Sequence, residues 1–444
     1  MGEIVTVVGG GLAGSECALQ LARRGVRVRL VEQRPGHPSP AHHGDGLAEL
    51  VCSNSLKSTK EDTAAGQLKW ELTRLGSVLL GCARDSSVPA GGALAVDREA
   101  FSSRVTALVE SNENIELVRE RVDALPEGPA VIAAGPLCSG ELFEAISAAV
   151  GGERMSFYDA AAPIVDAESL NRSVIFEQSR YQGEGSTGDY LNCPLDRESY
   201  ELLVRKLVGA ERVLARDFEQ RDLFCACQPI EEVARTGLDT LRHGALKPVG
   251  LVDPRDGRRP WAVVQLRAEN AAHTAYNLVG FQTNLTWPEQ RRVLRMIPGL
   301  EGAEFLRYGV MHRNSFVDSP HALDGTFSIP GTRVRLAGQI TGTEGYVEAI
   351  ASGLLAALNV YADLRGIAPV LLPATGSLGS LVRYATDPET RDYQPMHVNF
   401  GLFPPLSDAP RNKALRHAAL VERARTDLDR YLQGRPELLC PDAA

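Results

Sequence analysis

The stretch EIVTVVGGGLAGSECALQLARRGVRVRLVE, residues 3–32, changes its hydrophobic period twice, and that change decides the fold. Residues 3–8 are apolar and β-branched, as in a strand. SECALQLARRG then sets Leu19, Leu21 and Ala22 on a helical pattern and stops at Gly25, and VRVRLVEQ alternates as a second strand. The unit is βαβ. Its turn runs through Gly9, Gly10, Gly11, Leu12, Ala13 and Gly14, with Gly9, Gly11 and Gly14 in G-x-G-x-x-G spacing, and Glu32 closes the second strand 18 residues beyond Gly14. Glycines let the turn tighten and let a pyrophosphate approach the helix N-terminus, where free N–H groups and the dipole favour an anion. An acid ending the second strand binds ribose hydroxyls. A dinucleotide is expected here.

Outward from this unit, 444 residues with a net charge of −9 form a chain long enough for two to three domains. Hydrophobic content of 44% with 23% charged residues excludes a disordered or fibrous chain, and 42 glycines imply many tight turns. No apolar run approaches the roughly 20 residues of a membrane span, and the N-terminus has no basic region ahead of its apolar stretch. A cytoplasmic protein with no membrane partner is expected. The eight cysteines (17, 52, 82, 138, 193, 225, 227 and 440) show no paired framework, so free thiols are expected. Cys17 and Cys193 read as packing thiols. Cys225 and Cys227 lack two further ligands at metal spacing, so no metal is expected.

The Pro- and Gly-rich loop at 35–48 carries His42 and His43, which read as solvent-facing. It leads into LVCSNSL at 50–56, where Cys52 sits among polar residues with Lys57 and Lys60 following, a basic setting in which a thiolate is stabilised. GPAVIAAGP at 128–136 reads as a central strand of the nucleotide-binding sheet. From about 160 to 325 the pattern changes to scattered aromatics and alternating stretches such as PWAVVQLRAE at 260–269. The strand–turn–helix pattern returns from 332, with Gly338 and Gln339 ending a strand and Gly342 and Gly345 opening a long apolar helix. A final helix spans about Arg411 to Leu432. The fold class expected is α/β: a glutathione-reductase-like FAD-binding domain, with a Rossmann-type βαβ and parallel sheet, built from 1–160 and 325–444. An α+β domain at 161–324 is inserted on the substrate side. Two glycine-rich elements at opposite ends of the chain suit the length of FAD better than NAD. Arg291, Arg292 and Arg295 on a helix after Pro288, with Arg307 and Arg313 nearby, gather basic charge on one segment, and the C-terminal helix does the same; taken alone, each cluster reads as a solvated face.

The segments ELVCSNSLK (49–57), YLNCPL (190–195), CQPIEE (227–232), LKPVGL (246–251), NLVGFQTNLTWPEQ (277–290), RMIPGLEGAEFLRYGVMHRNSF (295–316), AGQITGTEGYVEA (337–349) and HVNFGL (397–402) come in an order that resembles the folate- and FAD-dependent tRNA uracil-5-methyltransferases, the TrmFO family. The resemblance spans nearly the whole chain. It implies a bacterial enzyme forming 5-methyluridine at position 54 of the tRNA T-loop, with 5,10-methylenetetrahydrofolate as carbon donor, NADH or NADPH as reductant, FAD between them, and no obligatory protein partner. With tRNA implied as substrate, Arg291, Arg292, Arg295, Arg307 and Arg313 become the expected RNA contacts, with the basic C-terminal helix next. The family's two functional cysteines fall on Cys52 and Cys227. Here the second lies in Cys225-Ala226-Cys227-Gln228, which departs from the family's glycine and apolar residue. The resemblance leaves two alternatives: the paralogous methylation of a ribosomal uridine, and a flavin-binding subunit that modifies wobble uridine, which shares the AGQITGTEGYVEA-type motif but is much longer.

Overall fold

The computed structural model describes residues 2–39, 41–138, 140–151, 155–181, 188–213, 228–391 and 393–439. Cys225, Cys227 and Cys440 lie outside them.

The first βαβ unit folds as its periods dictate: strand Val5–Val8, helix Leu12–Arg23, strand Val28–Val31. Gly9 and Gly14 make the turn possible. A Cβ on Gly14 would stand 1.8 Å from the Gly9 carbonyl oxygen, and one on Gly9, whose φ is +100°, would stand 2.4 Å from the Ala133 oxygen. No side chain larger than hydrogen fits either place. Val5–Val8 is central in a five-stranded parallel sheet ordered Val334–Leu336, Ala130–Ile132, Val5–Val8, Val28–Val31, Ile115–Val118. The late segment therefore completes the sheet begun by the first residues, and GPAVIAAGP supplies its central neighbour.

Helix Tyr346–Arg365 packs on Leu12–Arg23 so closely that a Cβ on Gly353 would meet the Ala13 oxygen at 2.1 Å. This helix departs from the sequence expectation. It has 20 residues and a mean hydropathy of 1.3, enough by length and composition to cross a membrane, yet 83% of that stretch is buried in the fold. Ile350, Leu354, Leu355 and Leu358 are fully buried in the main core, each worth about 1.5–3 kcal/mol of gross burial. A final helix, Lys413–Gln433, lies over this core through Leu420, Ala424 and Leu428.

A second core belongs to residues 165–303. Its six-stranded sheet is ordered Phe176–Glu177, Tyr190–Leu195, Ala262–Ala268, Ala275–Leu278, Ile164–Asp166, Phe305–Arg307, with antiparallel neighbours throughout. The strands Met155–Ala160 and Met311–Phe316, also antiparallel, lead out of and back into the first sheet's part of the chain. The alternation in PWAVVQLRAE is present, but its polar side is not solvated. Every residue of Ala262–Ala268 is buried, because Gln265 donates to Asn192 Oδ1 (3.0 Å) and Arg267 to Asn54 Oδ1 (2.8 Å). That second bond joins this sheet to the loop carrying Cys52.

Candidate active site

A cavity of about 820 Å³ opens along the C-terminal ends of the parallel strands, where a ligand site in such a sheet is expected. Gly9, Gly11, Leu12 and Ala13 form one end. Helix Leu12–Arg23 has no side-chain cap, so its first-turn N–H groups have no partner within the helix and face this space. A Cβ on Gly11 would meet no protein atom within 4 Å, in contrast to Gly9 and Gly14. Protein packing therefore does not demand a glycine at position 11, which lines the cavity. Glu32, 5% exposed, accepts from Gly10 N (2.7 Å) through one oxygen and from Arg34 N and Nε (3.0 Å each) through the other. Burial pushes its carboxyl up, but Arg34 and the two backbone donors outweigh this and hold it below the usual value. Glu32 is therefore a carboxylate fixed at the cavity wall. His42 departs from expectation: it is half-buried in the wall with Nδ1 2.6 Å from Ser39 Oγ, whereas His43 is exposed.

The other end is built by Gly338, Gln339, Gly345 and Tyr346. The Gly338 Cβ direction comes within 3.2 Å of Ala13 Cβ, so the two glycine-rich elements meet. Gln339 stands where an acid is usual. It donates to Glu344 Oε1 (2.5 Å), a buried acid five residues on that also lines the cavity. Gly342 lies under Tyr393, whose hydroxyl donates to the Thr341 oxygen (2.6 Å). Helix Tyr346–Arg365 begins uncapped at Gly345, the second helix N-terminus at this cavity. Beside it Lys57 Nζ pairs with the fully buried Glu348 at 2.6 Å. His397 is also in the wall, its imidazole held below the usual range by burial and then by Lys57.

Cys52 lies half-buried in the same wall. Its backbone N–H and that of Ser53 donate to the Tyr346 hydroxyl at 2.7 and 3.1 Å. Burial, and then Cys52 itself, push the Tyr346 phenol well above its ordinary value, so it stays a neutral acceptor. The basic setting of Cys52 has a different source from the one expected: Lys57 is neutralised by Glu348, and three arginines distant in sequence surround the loop instead. Arg98 donates to the Leu50 oxygen (2.5 Å), Arg307 to the Val51 oxygen (2.5 Å) and Arg267 to Asn54. All three interact electrostatically with Cys52. Arg98 also pairs with Glu269 at 2.5 Å. Desolvating three guanidinium groups around one short loop is costly, and the surplus of positive charge favours an anion in their midst. Asn54, fully buried, donates to Val96 and Ala268 oxygens at 3.0 and 2.9 Å, pinning the loop to both cores.

Arg307 and Arg295 depart from their expected place as free surface cations. Arg307 holds Val51, and Arg295 donates twice to the Ala303 oxygen (3.0 and 2.8 Å). Arg292 is exposed and paired with Glu289, while Arg291 is exposed and bound to the Tyr308 hydroxyl. Arg313 is on strand Met311–Phe316. Cys227 lies outside the described residues, but the helix just after it is firmly held. Glu231, fully buried on helix Ile230–Arg235, accepts from Thr283 Oγ1 (2.8 Å) and Asn284 N (2.7 Å). Cys17 and Cys193 are fully buried, and burial raises both thiols, as for packing cysteines. Sequence reading missed Tyr346, Glu344, Arg98 and Arg267. The first two lie inside AGQITGTEGYVEA, which was read for its glycines; the arginines carry no local signal.

Fold and site define a dinucleotide-binding α/β protein of the glutathione-reductase-like class, with an antiparallel sheet between the halves of its nucleotide-binding part. Residues 4–368 match the family model described as glucose inhibited division protein A. GidA of Aquifex aeolicus, in its form II crystal, superposes with a TM-score of 0.70 at 17% identity over 99% of this chain and 74% of its own, a likeness of fold. The Geobacter sulfurreducens protein named methylenetetrahydrofolate--tRNA-(uracil-5-)-methyltransferase TrmFO is 56% identical over 96% of this chain and 98% of its own. Its namesake in Moorella thermoacetica is 52% identical over 96% and 97%. The chain belongs to the TrmFO family.

Proposed function

We propose that this protein is a methylenetetrahydrofolate- and FAD-dependent tRNA uracil-5-methyltransferase, forming 5-methyluridine at position 54 of the T-loop with NADH or NADPH as reductant. The observation that carries the reading is Cys52 in the wall of one cavity with both glycine-rich elements. FAD fits the residues present: Gly11 leaves room for a pyrophosphate at the N–H groups of Leu12 and Ala13, and Glu32 is an ionised partner for ribose. Gly338, Gln339, Gly342 and Gly345 lead to a second helix N-terminus at the far end. When bound, FAD supplies the reducing equivalents that turn an exocyclic methylene into a methyl group.

The chain's own part is to make uracil C5 nucleophilic. A thiolate adds to C6, the resulting enolate takes the methylene from the folate, and a base removes the C5 proton before the thiol leaves. Tetrahydrofolate departs unoxidised because the hydride comes from NAD(P)H. We assign the attack on C6 to Cys227, which belongs to the part of the chain with the second core, and a place beside the flavin to Cys52. Residues 1–160 with 325–444 bind FAD, 161–324 receive RNA, and Arg291 and Arg292 are its exposed cations. The reaction requires no metal or protein partner and takes place in the cytoplasm.

The test supplies purified protein with methylenetetrahydrofolate, a reduced nicotinamide and either a T-loop minihelix or a ribosomal RNA fragment. A yellow protein that methylates the minihelix is expected. A colourless protein, or methylation of the ribosomal fragment alone, would refute the reading.

A further inference from the structure

Helix Trp287–Leu294, the strand Phe305–Arg307 and Tyr308 just beyond it carry a group of rings that the reaction above does not use. Trp287 and Tyr308 stack with ring centroids 5.4 Å apart and planes at 16°, and Tyr308 and Phe305 stack at 5.1 Å and 16°. Tyr308 is common to both pairs, so the three near-parallel rings form one stacked group joined through it. Trp287 is 58% exposed. Tyr308 covers one of its faces, so the exposed area is the other face and the rim.

A tryptophan this exposed is not there to fill a core. Arg291, one helical turn beyond Trp287 and therefore on the same side, donates through Nε and Nη2 to the Tyr308 hydroxyl at 3.0 and 2.8 Å. That fixes the guanidinium at the edge of the rings. Buried Gln290 locks the turn beneath by exchanging hydrogen bonds with Gly309 at 2.8 and 2.9 Å. The platform is rigid before anything arrives. It also adjoins the active site in the chain: Tyr308 follows Arg307, whose guanidinium holds Val51, the residue before Cys52.

We propose that Trp287, backed by Tyr308 and Phe305 and edged by Arg291, is a stacking platform for an unpaired nucleobase of the RNA, close to the base being modified. The inference rests on the reading that the substrate is RNA. A nucleobase is the partner the chemistry selects: a flat ring extends the stacked group, its polar rim stays in water, and the adjoining phosphate meets a fixed cation. A protein partner would need a broad apolar surface, and among the described residues these two elements expose only two large apolar side chains, Trp287 and Leu306.

The test measures binding of a T-loop hairpin carrying 2-aminopurine at its unpaired positions, together with methylation, for wild type, Trp287→Ala and Trp287→Phe. Stacking of one base corresponds to about 5- to 150-fold in affinity. Trp287→Ala is expected to weaken binding within that range, to lose the 2-aminopurine quench and to raise KM with kcat kept. Its salt dependence should be unchanged, since no phosphate contact is removed, and Trp287→Phe should restore most of the affinity. A Trp287→Ala protein that binds within twofold of wild type, or that instead changes oligomeric state, overturns the proposal. A wild type that shows the Trp287-dependent quench but transfers no methyl group refutes the methyltransferase reading and leaves the platform standing.

Discussion

Glu231 makes the stability of the second core sensitive to pH. Its carboxyl is buried on the helix that begins just after the CQP segment, and burial raises its pKa to about 7, against the lowering effect of the Asn284 and Thr283 donors. Between the ordinary glutamate value of 4.5 and about 7, the folded chain keeps a proton that the unfolded chain has released. Stability from this group is therefore fully present below 4.5 and is lost as pH rises through 7. At about 1.4 kcal/mol per pH unit, that interval is worth about 3 kcal/mol. Glu231→Gln mimics the protonated form: its oxygen accepts from Asn284 N–H, and its amide donates to the Thr283 hydroxyl. Urea unfolding of both proteins, followed at about pH 5 and about pH 8.5, isolates the group by difference, because other titrating residues cancel. The wild type should lose about 2.5 kcal/mol more than the variant between the two conditions, since pH 5 already lies above the unfolded value. Parallel pH dependence, or a wild type that gains on the variant as pH rises, would refute the reasoning.

Gly11→Ala should fold normally, because the new methyl group meets no protein atom, yet purify without FAD; a yellow Gly11→Ala protein would remove the pyrophosphate from this turn. Tyr346→Phe leaves the Cys52 and Ser53 N–H groups without their acceptor, at about 1–3 kcal/mol each. A lower melting temperature and lost methylation with FAD retained are expected, and unchanged values on both would show that the tyrosine does not hold the loop. RNA with 5-fluorouridine at the target should trap the attacking thiol, since fluorine cannot leave as a cation after methylene transfer. Cys227→Ala should abolish the adduct and Cys225→Ala should keep it, while Cys52→Ala should lose methylation with an altered flavin spectrum. An adduct that survives in Cys227→Ala and vanishes in Cys52→Ala exchanges the two roles.

The legible part of the sequence is set by the range of the interactions involved. Residues 3–32 could be read because strand, turn and helix are each decided within a few residues: Gly14 is glycine because Gly9 is 1.8 Å from where its Cβ would be, and both lie in one short stretch. Cys52 could be found as an isolated thiol in a polar loop, but its setting could not. Lys57 and Lys60 were the visible cations, and a buried glutamate 291 positions away from Lys57 pairs with it. The cations that count are Arg98, at the start of helix Arg98–Glu110, and Arg267 and Arg307, which reach the loop only when the second sheet docks, and no local pattern distinguishes them from solvated arginines. The same docking explains why Arg307 is tied to the Val51 oxygen and why the polar side of Ala262–Ala268 is buried. The Cys52 loop is thus held jointly by the helix that opens at Gly345 and by the antiparallel sheet, through Tyr346 on one side and Arg307 on the other. Pulling on either contact moves the same few backbone atoms, so the position of Cys52 depends on both parts of the chain being in place at once.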